Sequence, residues 1–101
     1  MEIKIENKEK ETLVIFDGRL DTPASLEAAP LFDGLKDKAD GTIILDCSRL
    51  SYISSSGLRV FLTLRKAAGE KGGKIIVRGL VPEVRSVFLM TGFLNLFQIE
   101  K

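Results

Sequence analysis

Leu50-Ser51-Tyr52-Ile53-Ser54-Ser55-Ser56-Gly57-Leu58-Arg59 is the stretch on which the fold of this chain turns. Upstream of it, Thr42-Ile43-Ile44-Leu45-Asp46 is a continuous apolar run, as expected of a strand covered on both faces. Downstream, Leu58, Phe61, Leu62, Arg65 and Ala68 make a helical stripe from Ser55 to about Lys71, and Gly72-Gly73 supplies the stop. The quoted residues therefore lead out of a strand and into the longest helix, with three serines at the helix start. A helix N-terminus presents unpaired N–H groups and about half a positive charge, which favours an anion. The serines are either capping residues or a phosphate site, bound or covalent. A phosphoserine there would add about −1.5 to −2 charges at pH 7, which the helix dipole accepts, so its effect belongs at a partner's surface and not in the fold. Gly57, inside the first turn, costs about 0.5–1 kcal/mol relative to Ala. That cost is explained either by tight packing on the sheet or by room for a partner's backbone or a phosphate.

Working outward, Ile3 and Ile5 alternate with Lys4 and Glu6 as in a half-exposed strand. Thr12-Leu13-Val14-Ile15-Phe16, ending at Asp17-Gly18, reads as a second strand paired with the first through the Lys8–Glu11 turn. Lys74-Ile75-Ile76-Val77-Arg78 and Leu96-Phe97-Gln98-Ile99 read as the fourth and fifth strands. Asp21-Thr22-Pro23 offers a cap with Pro at a helix start, and Pro30 predicts two short helical pieces or a break near Ala29. Pro82 opens a last helix through Val84, Val87, Phe88 and Met90, closed by Gly92. The order β-β-α-β-α-β-α-β predicts one α/β domain over residues 1–101. Its sheet is mixed but mostly parallel, with about five strands and helices packed on it.

Composition removes several function classes. A length of 101 residues with 45% hydrophobic residues suits one folded domain. Fifteen Lys+Arg against fourteen Asp+Glu leave a charge of +1, without the basic surplus of a nucleic-acid binder. With no His there is no Ser-His-Asp or Cys-His catalysis and no His-liganded metal. The single Cys47 fits a reducing compartment and, without a His to activate it, reads as a core residue. The charged, alternating start is unlike a signal peptide, and no apolar run approaches the ~20 residues of a membrane helix, so a cytoplasmic domain is expected. Gly69, Gly72 and Gly73 lack the spacing of a phosphate-cradling loop. Asp17, Asp21 and Asp46, read as strand ends, could converge on one rim, either holding Mg²⁺ or capping helices and turns. Phe61, Phe88 and Phe97 read as core, and Arg59, Lys66 and Glu70 as a solvated helix face. No catalytic residue, metal or cofactor is assigned, and the chain reads as a non-enzyme.

Three motifs carry a resemblance. Asp46-Cys47-Ser48-Arg49-Leu50-Ser51-Tyr52-Ile53-Ser54-Ser55-Ser56-Gly57-Leu58 resembles the signature of STAS-domain anti-sigma-factor antagonists. Gly18-Arg19-Leu20-Asp21 resembles their earlier Gly-x-Leu-Asp turn, and Met90-Thr91-Gly92-Phe93-Leu94 their late turn before the final strand. The resemblance implies a partner switch. The unmodified antagonist binds an anti-sigma factor that is also a GHKL-type serine kinase and so frees the sigma factor. Phosphorylation releases the antagonist, and a PP2C-type phosphatase resets it. By motif position the phosphoacceptor is Ser55, with Ser54 and Ser56 as flanking alternatives and Asp21 as the acidic residue beside the site. Arg19, Asp21, Ser54, Ser56, Gly57, Leu58 and Arg59 are the implied partner-binding residues. The sequence departs from the pattern at Ser54, where the family often has Asp, and the family's last helix after the fifth strand is missing before Lys101. Surface left uncovered there would invite a partner or a homodimer. STAS modules also serve as constitutive scaffold or adaptor subunits of signalling and transport complexes, and the fold alone does not choose between these roles.

Overall fold

The computed structural model of the protein describes residues 1–100. Alternating and continuous apolar runs become five strands: β1 (Glu2–Lys8), β2 (Glu11–Leu20), β3 (Thr42–Ile53), β4 (Lys74–Arg78) and β5 (Gln98–Glu100). Between them lie α1 (Thr22–Lys36), α2 (Ser55–Lys71) and α3 (Pro82–Thr91), with one 3₁₀ turn at Phe93–Asn95. The strands lie side by side in chain order; β1 runs antiparallel to β2, and the other pairs are parallel. With the strands in simple sequence, right-handed crossovers place every helix on the same side of the sheet. The single core confirms it: Val14, Phe16, Leu45 and Val77 share one cluster with Phe32 of α1, Phe61 of α2 and Phe88 of α3. Phe61 is its centre, with ring centroids 5.3 Å from Phe16, 6.1 Å from Phe88 and 6.5 Å from Phe97. Among the described residues the other side of the sheet carries no helix; Leu13, Ile44 and Ile76 form a row there, opposite one another in register, with Ile15 two residues after Leu13 and opposite Asp46.

The end signals act as read. Asp21 caps α1, accepting from the Ala24 N–H at 2.9 Å, and Gly72 and Gly92 close α2 and α3 in the left-handed conformation. Phe61, Phe88 and Phe97 are buried, and Arg59, Lys66 and Glu70 are exposed.

Several expectations are corrected. α1 does not break at Ala29 but runs through Pro30. Pro30 is exposed, and its cost of about 3 kcal/mol is matched by burying Phe32 and Leu35 beyond it, worth about 1.5–3 kcal/mol each. The buried stripe of α2 is Gly57, Leu58, Phe61, Leu64 and Ala68. Leu62 lies on its flank, and Arg65 is exposed, its guanidinium donating to the Leu96 carbonyl. On α3 the buried pair is Val84 and Phe88, four residues apart, which leaves Met90 on the far side and 85% exposed. β5 starts at Gln98, because Leu96 still belongs to the preceding turn and Phe97 drops into the core.

β2 and β3 run well past their expected ends. Twelve residues of β3 span ten of β2, because its register slips by one residue between Asp46 and Arg49 and again between Leu50 and Tyr52. These two bulges carry β3 to Ile53 and place Cys47 inside the strand instead of after it. The three aspartates do not converge on one site, although Asp17 and Asp46 line one cleft with Arg49. Asp46 accepts from the Ser48 N–H and hydroxyl, Asp17 pairs with Arg49 at 3.6 Å, and Asp21 caps α1. Among the described residues no group of three or more His, Cys, Asp or Glu side chains is placed to hold a metal ion.

Candidate functional site at the start of α2

The site lies where β2 and β3 end side by side, with Leu20 opposite Ile53. Parallel strands deliver both following helices at this same end, so α1 starts at Asp21-Thr22 and α2 at Ser54-Ser55. The Leu20 carbonyl joins them, accepting from the Ser54 N–H at 2.9 Å and from the Ser54 hydroxyl at 3.1 Å. Ser54 is the N-cap of α2; its Oγ also accepts from the Gly57 N–H at 3.1 Å. Both hydrogen-bonding roles of this hydroxyl are thus occupied, and the side chain is buried.

The two explanations offered for Gly57 are separable in the structure. A Cβ there would stand 2.8 Å from Ile53 Cγ1 and 3.0 Å from both Cγ and Cδ2 of Leu20. Close packing on the strand ends accounts for the glycine. Gly57 and Leu58 are both buried, so their side-chain positions face the core and hold the serine turn in place.

The other implied residues reach the surface in different ways. Ser55, the first helical residue, is exposed. Ser56 is half-buried and turns into a cleft of about 280 Å³ between α1 and α2, lined also by Ser25, Leu26, Ala29, Arg59 and Val60. Arg59 is exposed four residues after Ser55, on the same helical face. Arg19 is exposed near the β2 end, with its guanidinium carbon 4.3 Å from the ring centroid of Tyr52, its neighbour across the β2–β3 ladder. Asp21 is half-buried and committed to its cap. The first turn of α2 holds no acidic side chain, so no acid of that turn compensates its dipole.

Three contributors escape a reading of the sequence alone. Leu20 and Ile53 form the wall against Gly57, and only the β2–β3 register brings them together. Leu26 is 72% exposed on the rim of the cleft. Its signal was available: it stands outside the Ser25, Ala28, Phe32, Leu35 stripe of α1, where a large apolar residue has no core to face.

The chain belongs to the STAS domain family, which matches residues 2–101. Among its relatives, BtrV of Bordetella bronchiseptica, a candidate anti-sigma factor antagonist, is 43% identical over 63 residues, covering 62% of this chain and 54% of BtrV. The anti-sigma-B factor antagonist of Listeria monocytogenes is 26% identical over 103 residues, covering 99% of this chain and 90% of that protein. The chain spans about half the length of the first of its curated relatives. Among solved structures, the Bacillus cell fate determinant SpoIIAA in its phosphorylated form superposes with a TM-score of 0.76 at 22% identity, covering 99% of this chain and 92% of that one. Its unphosphorylated form gives the same TM-score at 20% identity, covering 99% and 87%. These superpositions establish the fold: a single α/β STAS domain with a five-stranded mixed sheet and three helices. Among the described residues no helix is long and apolar enough to cross a membrane.

Proposed function

We propose that the chain is an anti-sigma-factor antagonist that works as a phosphorylation-controlled partner switch, with Ser55 as the modified residue. The observation that carries this reading is the division of roles among three consecutive serines. Ser54 is buried with its hydroxyl fully engaged, Ser56 turns into the cleft, and Ser55 stands exposed at the first helical position. The names of the relatives support the same class. In this reading the unmodified surface around Ser55, Arg19 and Arg59 binds, in the cytoplasm, a GHKL-type serine kinase that is also the anti-sigma factor. Its target is thereby freed. The kinase transfers the γ-phosphoryl group of ATP to Ser55 Oγ, with ADP and the hydroxyl proton leaving; the antagonist is released, and a PP2C-type phosphatase hydrolyses the ester with water, restoring the hydroxyl and releasing phosphate. The chain itself supplies an acceptor and no catalytic group.

The electrostatics favour an effect outside the fold. A phosphate on Ser55 brings about −1.5 to −2 charges to a helix start that has no acid of its own and an arginine one turn on. The fold gains slightly, whereas a partner surface that closed over a neutral hydroxyl now meets a dianion. A loss of only ~1.4 kcal/mol at that interface weakens the complex tenfold. The test is capture from extracts of the source cells on immobilised Ser55→Ala and Ser55→Asp. A GHKL-type kinase retained by the first and absent from the second is the expected result. Identical partners on both would make Ser55 a helix residue of a constitutive scaffold and overturn the switch.

A further inference from the structure

We propose that β1 is a self-complementary edge through which two copies of the chain pair, joining their sheets into one of ten strands. The sheet has two open edges. That of β5 is three residues long; that of β1 is seven, with a row of backbone groups free to pair on its outer side. The cross-strand partners fix which way its side chains point. Ile3 and Ile5 stand opposite the core residues Phe16 and Val14, so Glu2, Lys4, Glu6 and Lys8 all lie on the helix-free face.

Charged edge strands generally resist pairing, but here the signs alternate along one face. In an antiparallel pair related by a two-fold axis at Ile5, Glu2 faces Lys8 and Lys4 faces Glu6, each twice over by symmetry. Ile5 meets Ile5 on the other face. Moving the axis one residue either way brings like charges together: Glu2 on Glu6 and Lys4 on Lys4 with the axis at Lys4, or Lys4 on Lys8 and Glu6 on Glu6 with it at Glu6. One full-length register is therefore attractive and its two neighbours are repulsive, the pattern of an isologous interface that selects its own copy. Within the chain Lys4 and Glu6 stand opposite Ile15 and Leu13, so their charges are not satisfied across the β1–β2 ladder. Glu2 stands opposite Asp17, a like charge that Arg49 already pairs, and Lys8 stands opposite Glu11, an unlike one. A two-fold axis through β1 sends the Ser55 turns to opposite ends of the joined sheet, leaving both open. A seven-residue strand pair falls short of the roughly 1,000 Å² of a stable interface, which fits a weak, salt-sensitive dimer.

Sedimentation velocity of the full chain from low to high micromolar concentration tests this, at low salt and in 1 M salt, where the Debye length is about 3 Å. The wild type is expected to dimerise with concentration at low salt, and more weakly at high salt. Lys4→Glu and Glu6→Lys should each weaken the dimer at least about tenfold, by placing two like pairs across the axis. The double variant Lys4→Glu/Glu6→Lys restores opposite charges and should recover dimerisation. An equimolar mixture of the two single variants should form a heterodimer that neither forms alone. Circular dichroism melting checks that the single variants are folded. A wild type that stays monomeric throughout overturns the proposal. So does a dimer indifferent to the single variants, or a double variant as weak as either one.

Discussion

Replacing Gly57 with alanine tests the packing that holds the serine turn. The added methyl would lie 2.8 Å from Ile53 Cγ1 and 3.0 Å from two carbons of Leu20, both of which are buried side chains. Overpacking of this kind costs roughly 1–3 kcal/mol. Alanine recovers about 0.5–1 kcal/mol of helix propensity at the same position, so the net loss is about 0–2.5 kcal/mol, centred near 1. For a domain of this size each kcal/mol moves Tm by roughly 4–8 °C. Gly69 lies in the same helix, exposed, with nothing within 4 Å of an added Cβ. There the same substitution has only the propensity term and should raise Tm by a few degrees. Differential scanning calorimetry of the two variants thus compares one chemical change at two sites with opposite expected signs. If Gly57→Ala stabilises the protein as much as Gly69→Ala does, the turn is loose and the wall of Leu20 and Ile53 does not constrain it.

Ser54→Ala removes the cap of α2 and leaves the Gly57 N–H unpaired, which should cost about 0.5–2 kcal/mol in urea unfolding; a neutral substitution would contradict the capping geometry. Ser55→Asp should leave stability unchanged or raise it by about 0.3–1 kcal/mol, an increment erased by salt, since a carboxylate is favoured in the first helical turn; a large fall in Tm would show that Ser55 is structural. Burial pushes the Cys47 thiol well above its ordinary range, with Asp46 adding to the effect. The thiol should therefore resist alkylation in the native protein at neutral and mildly alkaline pH and react only on unfolding. The sign for stability follows. The folded state holds this proton more tightly, so the contribution is complete below the unfolded thiol's pKa of about 8.5 and is lost progressively as pH rises above it. Chemical denaturation at pH 7 and pH 10 should show that loss in the wild type and a smaller one in Cys47→Ala.

The parts of the fold legible in the sequence are those set by local chemistry. A cap followed by proline at Asp21-Thr22-Pro23, the stops at Gly72 and Gly92 and the opening at Pro82 act within one turn, and each falls where its residues place it. The C-terminal half of β3 was hidden because its bulges abolish the alternation that marks a strand. Ser48 and Arg49 are both exposed, as are Ser51 and Tyr52, so the in–out alternation is broken at each pair. Pro30 misled for the opposite reason. Its local effect is real but smaller than the burial gained on the turn beyond it.

The serines show where local reading stops. Three identical residues in a row give no means of telling which one caps the helix. The choice is made 34 residues away in sequence, at the Leu20 carbonyl, which receives both the N–H and the hydroxyl of Ser54. Leu20 also lends its side chain to the wall behind Gly57, and its neighbour Asp21 caps α1. Two residues at the end of β2 therefore set the start of both helices, and changes at Ser54 or Gly57 act on this shared joint. Ser55, one residue further, is exposed and makes no side-chain hydrogen bond among the described residues. In the proposed switch, stability and partner binding separate along three consecutive residues, and a mark on the middle serine changes the surface while the joint beneath it stays closed.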